Sequence, residues 1–349
     1  MLPLRKAIAM RMKIRANSVG LIIFILAVVH IQTGFAQDIH FSQYMHSPLN
    51  LNPAETGNFQ GDYRFVGNHK RQWLSFANAY STFSVSVDRS FFRTSTVVPS
   101  AGFLLNNDVS GDGDFGTLQL IVPLSARYQH NDLGITLGAS AGWIQHGFNF
   151  NAFYFGNQYT GERFDPSLPN NEAPEADRFS YVDFSTGVLA DYRINDSLTI
   201  RLGSAVQHAG RPEKSFYQDE NVRLPLRWQI YASGEFDLQP DLLLLPSVMF
   251  MNQGSYREFN IGGQLRFDVN PLGLRSFYLG AMFRASDAGI LMFGMDYNQL
   301  QFHLSYDINV SGLTTISRGR GGVEISVIYL FNKLNLSNKP PVRKCPEFI

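Results

Sequence analysis

The chain has 349 residues, 44% of them hydrophobic and 13% aromatic, with 30 glycines, one cysteine and 29 basic against 29 acidic side chains. That apolar content excludes a disordered polyelectrolyte, and the charge balance gives no sign of a nucleic-acid binder. One cysteine excludes an internal disulfide framework.

At the start, Arg5, Lys6, Arg11, Lys13 and Arg15 precede an apolar run from Val19 to Val29, followed by Gly34-Phe35-Ala36. A basic stretch, a greasy stretch and small residues in that order are the pattern of an export signal, and the run is too short for a spanning helix. Residues 1–36 are therefore expected to be a signal peptide cleaved after Ala36. Removing five basic residues and no acidic ones leaves 24 against 29, a mature charge of −5. The longest pure aliphatic run beyond it is Leu242 to Leu245, so any membrane crossing must be made by strands.

Residues 37–61 contain Pro48, Pro53 and several turn formers that interrupt any long period. They are expected to form an irregular segment packed at a barrel mouth or in its lumen.

From Asp62 the pattern becomes strand, turn, strand. Fourteen candidates follow: 63–71, 81–88, 98–107, 117–129, 133–146, 181–193, 198–208, 226–237, 242–253, 257–268, 276–284, 288–297, 300–309 and 322–331. Alternation is plain in Leu198, Ile200, Leu202 and Val206 against Thr199, Arg201, Gly203 and Gln207. It recurs in Leu300, Phe302, Leu304 and Tyr306 against Gln301, His303, Ser305 and Asp307. One face suits lipid and the other water, and the lengths approach the roughly ten residues a tilted strand needs to cross a bilayer. A soluble sandwich would also alternate, with strands of about five or six residues.

The last strand, Gly322 to Phe331, sets Val323, Ile325, Val327, Tyr329 and Phe331 on one face. Only pairing back onto the first strand leaves no unpaired edge in lipid. The expected fold is thus all-β, a transmembrane antiparallel β-barrel of about 14 strands over residues 62–331, with a periplasmic tail at 332–349. An even strand number and short even-numbered connections such as Asn131-Asp132 and Asn298-Gln299 agree with periplasmic turns on one side and longer external loops on the other. The connection from Arg89 to Val97 is longer than a turn requires. Pro99, Pro123 and Pro246 fall inside strands, where bulges or shifted boundaries are expected.

Two segments invite chemistry. Asp108, Ser110 and Asp112 with Gly113 resemble the start of a calcium loop, but the twelfth position is Gln119, which leaves weak cation binding or an ordinary Gly-Asp hairpin loop. The connection from Phe148 to Ser180 carries Phe153, Tyr154, Phe155 and Tyr159 ahead of an acidic half with Asp165, Glu172, Glu175 and Asp177. It is expected either to dock another protein, to fold in as a plug, or to be an ordinary surface loop. The histidines are scattered and no nucleophile elbow, zinc-protease motif or phosphate loop occurs, so neither an enzyme nor a cofactor is expected. Cys345 is too near the C-terminus to be a lipoprotein's acylated cysteine.

The mature chain resembles the PorP/SprF outer-membrane proteins of the type IX secretion and gliding machinery of Bacteroidota. The resemblance rests on Phe41-Ser42-Gln43-Tyr44, Pro48-Leu49, Asn52-Pro53-Ala54 and Gly57, then Tyr63-Arg64 with Arg71-Gln72-Trp73, then Asn107, Asp108, Gly111 and Gly113. It closes on Cys345, Pro346 and Phe348, with Glu347 departing from the basic residue expected there. It implies a non-enzymatic barrel that connects the periplasmic ring, through a peptidoglycan-associated adaptor, to the cell surface, some members being paired with a very large secreted surface adhesin. The leader motif and tail would contact the machinery, and the external loops the cargo. The alternative of another class is a FadL-like passive channel for hydrophobic small molecules, with the leader as plug. A third, a secreted soluble β protein, would leave the membrane fraction on carbonate washing.

Overall fold

The computed structural model describes residues 38–72, 80–92, 95–111, 113–169, 176–269, 273–311 and 314–332. The expected signal peptide and most of the expected C-terminal tail, with Cys345, lie outside these residues.

Fourteen strands form one closed antiparallel barrel in which each strand pairs with its sequence neighbours and the last pairs with the first. They are β1 (Tyr63–Gln72), β2 (Tyr80–Ser90), β3 (Val97–Ser110), β4 (Phe115–His130), β5 (Leu133–Gly147), β6 (Arg178–Asn195) and β7 (Leu198–Gln207). The second half comprises β8 (Arg227–Gln239), β9 (Leu242–Gln253), β10 (Tyr256–Asp268), β11 (Leu274–Arg284), β12 (Ala288–Tyr297), β13 (Leu300–Asn309) and β14 (Arg320–Phe331). The seam runs from Tyr63 opposite Phe331 to Gln72 opposite Gly322. Closure pairs every edge, which is what permits a sheet to stand in hydrocarbon.

The period-two pattern decides which face meets lipid. Leu137, Leu202, Leu279 and Leu291 are all more than half exposed on the outer surface, whereas Asn68, Ser84, Asn106, Asn260, Ser305, Asp307, Glu324 and Ser326 are buried inside. Aromatics gather on the outside of the seam, with Tyr63 against Phe331 (6.1 Å between centroids) and Phe65 against Tyr329 (6.3 Å). Such residues suit a membrane–water boundary. Among the described residues no helix is long and apolar enough to cross a membrane.

Connections after even-numbered strands are short, as at Asn131-Asp132 and Asn298-Gln299, and the longest, 148–177 and 208–226, follow odd-numbered ones. The ends are termed below the short-turn end and the long-loop end. Short turns mark the periplasmic side of such barrels.

The prolines need neither bulges nor new boundaries. Pro99 pairs with Ala126. Opposite Pro123 the β3–β4 ladder skips from Ala101–Leu124 to Leu104–Ile121, and opposite Pro246 the β8–β9 ladder skips from Ser233–Ser247 to Phe236–Leu244. Register is the same on both sides of each gap. The missing N–H costs local bonds and leaves the alignment intact, because the partner strand on the other side, β5 for Pro123 and β10 for Pro246, holds the register.

Residues 38–61 fill the lumen. Short helical turns at Tyr44–His46, Pro48–Leu51 and Pro53–Glu55 compact the segment, and the largest apolar cluster forms where Tyr44, Leu51 and Ala54 meet Leu189, Tyr231, Met249, Met282, Ile290 and Met292 of the wall.

Candidate functional site: the plugged lumen

Proline at the first position of the second and third turns fixes φ without sacrificing a needed donor. The segment therefore descends as a chain of tight turns rather than an added strand. Its direction is set by partners at both ends. Near the long-loop end His208 sits between two carboxylates, Nδ1 on Asp183 Oδ2 at 2.8 Å and Nε2 on Asp38 Oδ2. Gln253 also donates to Asp38 Oδ2 at 2.8 Å, and Arg227 donates to the Ile39 carbonyl at 3.1 Å. Burial alone would lower the His208 pKa, but the Asp38 charge and the bonds to Asp183 and Asp38 raise it to about 9. Asp38 is held well below the usual carboxylate range: burial opposes ionisation, and His208, Lys214 and Arg227 outweigh it.

One turn further, the backbone N–H groups of Ser42 and Gln43 donate to the two Glu324 oxygens at 2.7 and 3.0 Å. The Ser42 hydroxyl donates to Asp307 at 2.7 Å, and Asp307 also accepts from Arg284 at 2.7 Å. These groups are buried: Asp307 is ion-paired with Arg284, and the Glu324 carboxyl is satisfied by two backbone N–H donors.

Midway, Asn52 is fully buried. Its Oδ1 accepts from the Ala54 N–H at 2.9 Å, while Nδ2 donates to the Val188 and Ser204 carbonyls at 3.1 and 3.2 Å and lies 3.3 Å from the Tyr231 hydroxyl. Tyr231 in turn donates to Glu55 at 2.7 Å. The wall is thinned where this turn presses on it: a β-carbon on Gly187 would overlap the Asn52 amide, and one on Gly138 the Pro53-Ala54 backbone.

At the short-turn end Arg64 grips Asp88 through Nε (3.0 Å) and Nη2 (2.8 Å) and donates to the Glu55 carbonyl at 2.9 Å. Asp88 also accepts the Gly57 N–H at 2.7 Å. Gly57 has φ +73°, and a side chain there would meet Ser90 and Ser100, so glycine is required twice over. Ser125 donates to the Thr56 carbonyl at 2.7 Å.

The residues singled out from sequence divide accordingly. Phe41, Gln43, Tyr44, Pro48, Asn52, Pro53 and Ala54 are buried in the lumen, Gly57 is half-buried, and all serve the plug. Arg71 and Gln72 lie at the opposite end of β1, Arg71 exposed on the outer face, and Trp73 lies outside the described residues. Sequence reading missed the receiving side, Asp88, Asp183, His208, Tyr231, Arg284, Asp307 and Glu324. Inward-facing charge on a lipid-exposed strand was the available signal.

The external candidates also divide. Phe153 packs on Phe148 (6.1 Å) and over Gly113, and Phe155 on Phe150 (5.0 Å). Phe216 of the next long loop inserts edge-on between Phe115, Phe148 and Phe179 at 5.6, 4.7 and 4.7 Å. Tyr154 (80% exposed) and Tyr159 (57%) face outward. Asp108 accepts from the Thr82 hydroxyl at 2.5 Å and Ser110 is the last residue of β3, so both belong to the wall. Asp112 lies outside the described residues, and among those described no His, Cys, Asp or Glu cluster could hold a metal.

Over residues 33–329 the chain matches the family described as type IX secretion system membrane protein PorP/SprF. No curated protein matches it. Among solved structures, the Ralstonia pickettii toluene transporter TbuX aligns at 12% identity and TM-score 0.50, covering 86% of this chain and 96% of its own. The P. putida toluene transporter TodX aligns at 10% and 0.47, covering 81% and 93%. At 12% identity the likeness to TbuX is one of fold.

Proposed function

Because the chain belongs to the PorP/SprF family of type IX secretion system membrane proteins, we propose that this outer-membrane barrel works without catalysis. In this reading it is a rigid anchor that joins the periplasmic secretion apparatus to the cell surface and supports secretion or attachment of a partner adhesin. The observation that carries the reading is the plug. Its first residues are tied to His208, Glu324 and Arg284, its middle to Tyr231 and its end to Asp88. A lumen so bonded along its length suits a platform better than a conduit.

The leader motif then acts by stiffening the barrel from within. Periplasmic partners would meet the short turns, the end of the plug near Asn58 to Gly61 and the residues that follow β14. Cargo would meet the long loops around Tyr154 and Tyr159. A tagged pull-down from gently solubilised outer membranes tests this: recovery of periplasmic ring subunits, an adaptor or a large surface adhesin supports it, and recovery of the barrel alone overturns it.

A passive channel for hydrophobic small molecules is the second reading. It draws on a cavity of about 300 Å³ beside the plug and on the ladder gap at Pro246, which borders that cavity. Bound lipid or fatty acid in place of protein partners would favour it.

A further inference from the structure

The cavity of about 300 Å³ lies between the plug and the wall, in the half of the lumen nearer the short turns. Its inner part carries an apolar strip, Met45 of the plug with Leu245, Met282, Met292 and Ile328, beside the polar side chains of Gln43, His46, Gln264 and His303, Gln264 lying 3.4 Å from the Met292 sulfur. Its outer part carries Arg64, Arg201, Glu235 and Arg266. Through Gln301 and Leu330 it shares wall with a second, polar cavity of about 460 Å³ whose other lining residues, Gln60, Gly61, Asn298 and Asn332 among them, mark the short-turn end. The bonded Ser42–Glu324–Asp307–Arg284 group lies on the other side, towards the long loops.

The cations of this cavity are not equivalent. Arg64 is paired with Asp88, and Arg266 with Asp268 at 2.9 Å. Among the described residues Arg201 makes neither a hydrogen bond nor an ion pair, and its Nε is fully buried without a partner. Glu55, Glu235 and Asp191 are the carboxylates that act on it from a distance. Those carboxylates offset the guanidinium's charge without bonding it, and its fork of five directional donors is matched best by a planar carboxylate.

We propose that this cavity binds a single-chain amphiphile with one carboxylate head, the head on Arg201 and the tail against Met45, Met282, Met292 and Ile328. The order of the lining sets the orientation, tail inward and head towards the short-turn mouth. Glu235 sets the charge: on β8, beside the strand position opposite Arg201, it faces the same space. Its carboxylate disfavours a second negative charge on the ligand. A volume near 300 Å³ lies at the small end of the range of about 300–1,000 Å³ for ligand sites, which fits a chain of medium length. The site rests on the cavity that the second reading draws on, and it stands apart from the anchor reading because it needs no protein partner.

The test uses the full mature barrel in phosphatidylcholine nanodiscs, with carboxyl-labelled decanoate as probe and decanol and decylammonium as comparators. Empty discs correct for partition into lipid. Saturable one-site binding of decanoate is expected, with a distinct carboxyl resonance, weakened at least about tenfold in Arg201→Gln by loss of the charged partner. Decanol binding should change little in that variant, and Met292→Trp should abolish binding of both. Heat-modifiable mobility in gels confirms that each variant is folded. Equal decanoate binding by Arg201→Gln, a preference for decylammonium, or uptake no greater than empty discs would each overturn the proposal.

Discussion

The buried amide of Asn52 occupies the space that a side chain on Gly187 would need. Plug and wall are therefore cut to one another at a single atom group, and the plug's seat is testable from the wall side. Gly187→Val or Gly138→Val should displace the Asn52-Pro53-Ala54 turn while leaving the outer face unchanged. Planar-bilayer recordings should then show open-channel current where the parent is silent or nearly so. Asn52→Ala should act in the same direction more weakly, since each buried carbonyl it leaves unpaired costs about 1–3 kcal/mol.

Arg64 and Asp88 give a second test. Asp88→Ala strips Arg64 of its buried partner and Gly57 of its acceptor. Breaking such a pair from one side costs about 3–5 kcal/mol, so the temperature of heat-modified gel mobility should fall clearly. Arg64→Lys should restore little, because one ammonium cannot engage both Asp88 oxygens and the Glu55 carbonyl as the guanidinium fork does.

The Asp38–His208–Asp183 latch predicts a pH response. The folded pKa of His208 stands at about 9, above its ordinary value of 6.5. Its contribution is therefore complete below 6.5 and lost as pH rises through 9. Asp38 is depressed, so its share is present above its ordinary 3.8 and lost only in stronger acid. A cysteine at Ile39 should thus gain reactivity towards an impermeant maleimide, relative to the free thiol at the same pH, as pH passes 9. In His208→Asn the rise should vanish, the latch being open throughout.

Phe216 carries a prediction for the outer surface. Three edge-on ring contacts of about 0.5–1.5 kcal/mol each, one to Phe148 of the 148–177 loop and two to Phe115 and Phe179 on β4 and β6, tie the 208–226 loop to its neighbour and to the barrel rim. Phe216→Ala should expose both loops to protease in intact cells without altering the barrel's gel mobility. Tyr154→Ala should change proteolysis far less, because that ring is mainly in solvent and its edge-on contact with Phe164 at 4.8 Å stays within one loop. Any loss of adhesin binding in Tyr154→Ala would then report contact rather than loop order.

Strand number, pairing and the lipid-facing side were legible because alternation and turn chemistry are local. Boundaries moved mainly outward, as at Arg178–Asn195, where the ladder runs beyond the greasy stretch into polar residues that pair backbone just as well. The leader's burial was legible as composition, but its direction through the lumen was not. It depends on Asp38 finding His208 and Ser42 finding Glu324, contacts 170 and 282 residues apart, and no periodicity encodes such pairs. For Phe153 and Phe155 the sequence leaves docking, plug and surface loop as open alternatives, because aromatic content alone does not distinguish rings that face solvent from rings that close over a neighbour, as these do over Phe148 and Phe150.

Those separations bear on how the molecule is made. The bonds of Ser42 and Gln43 must wait for the last strand, since Glu324 on β14 receives them, and the seam with β1 waits for the same strand. Contacts of that sequence separation carry the largest loop-closure cost, and both sets converge on β14.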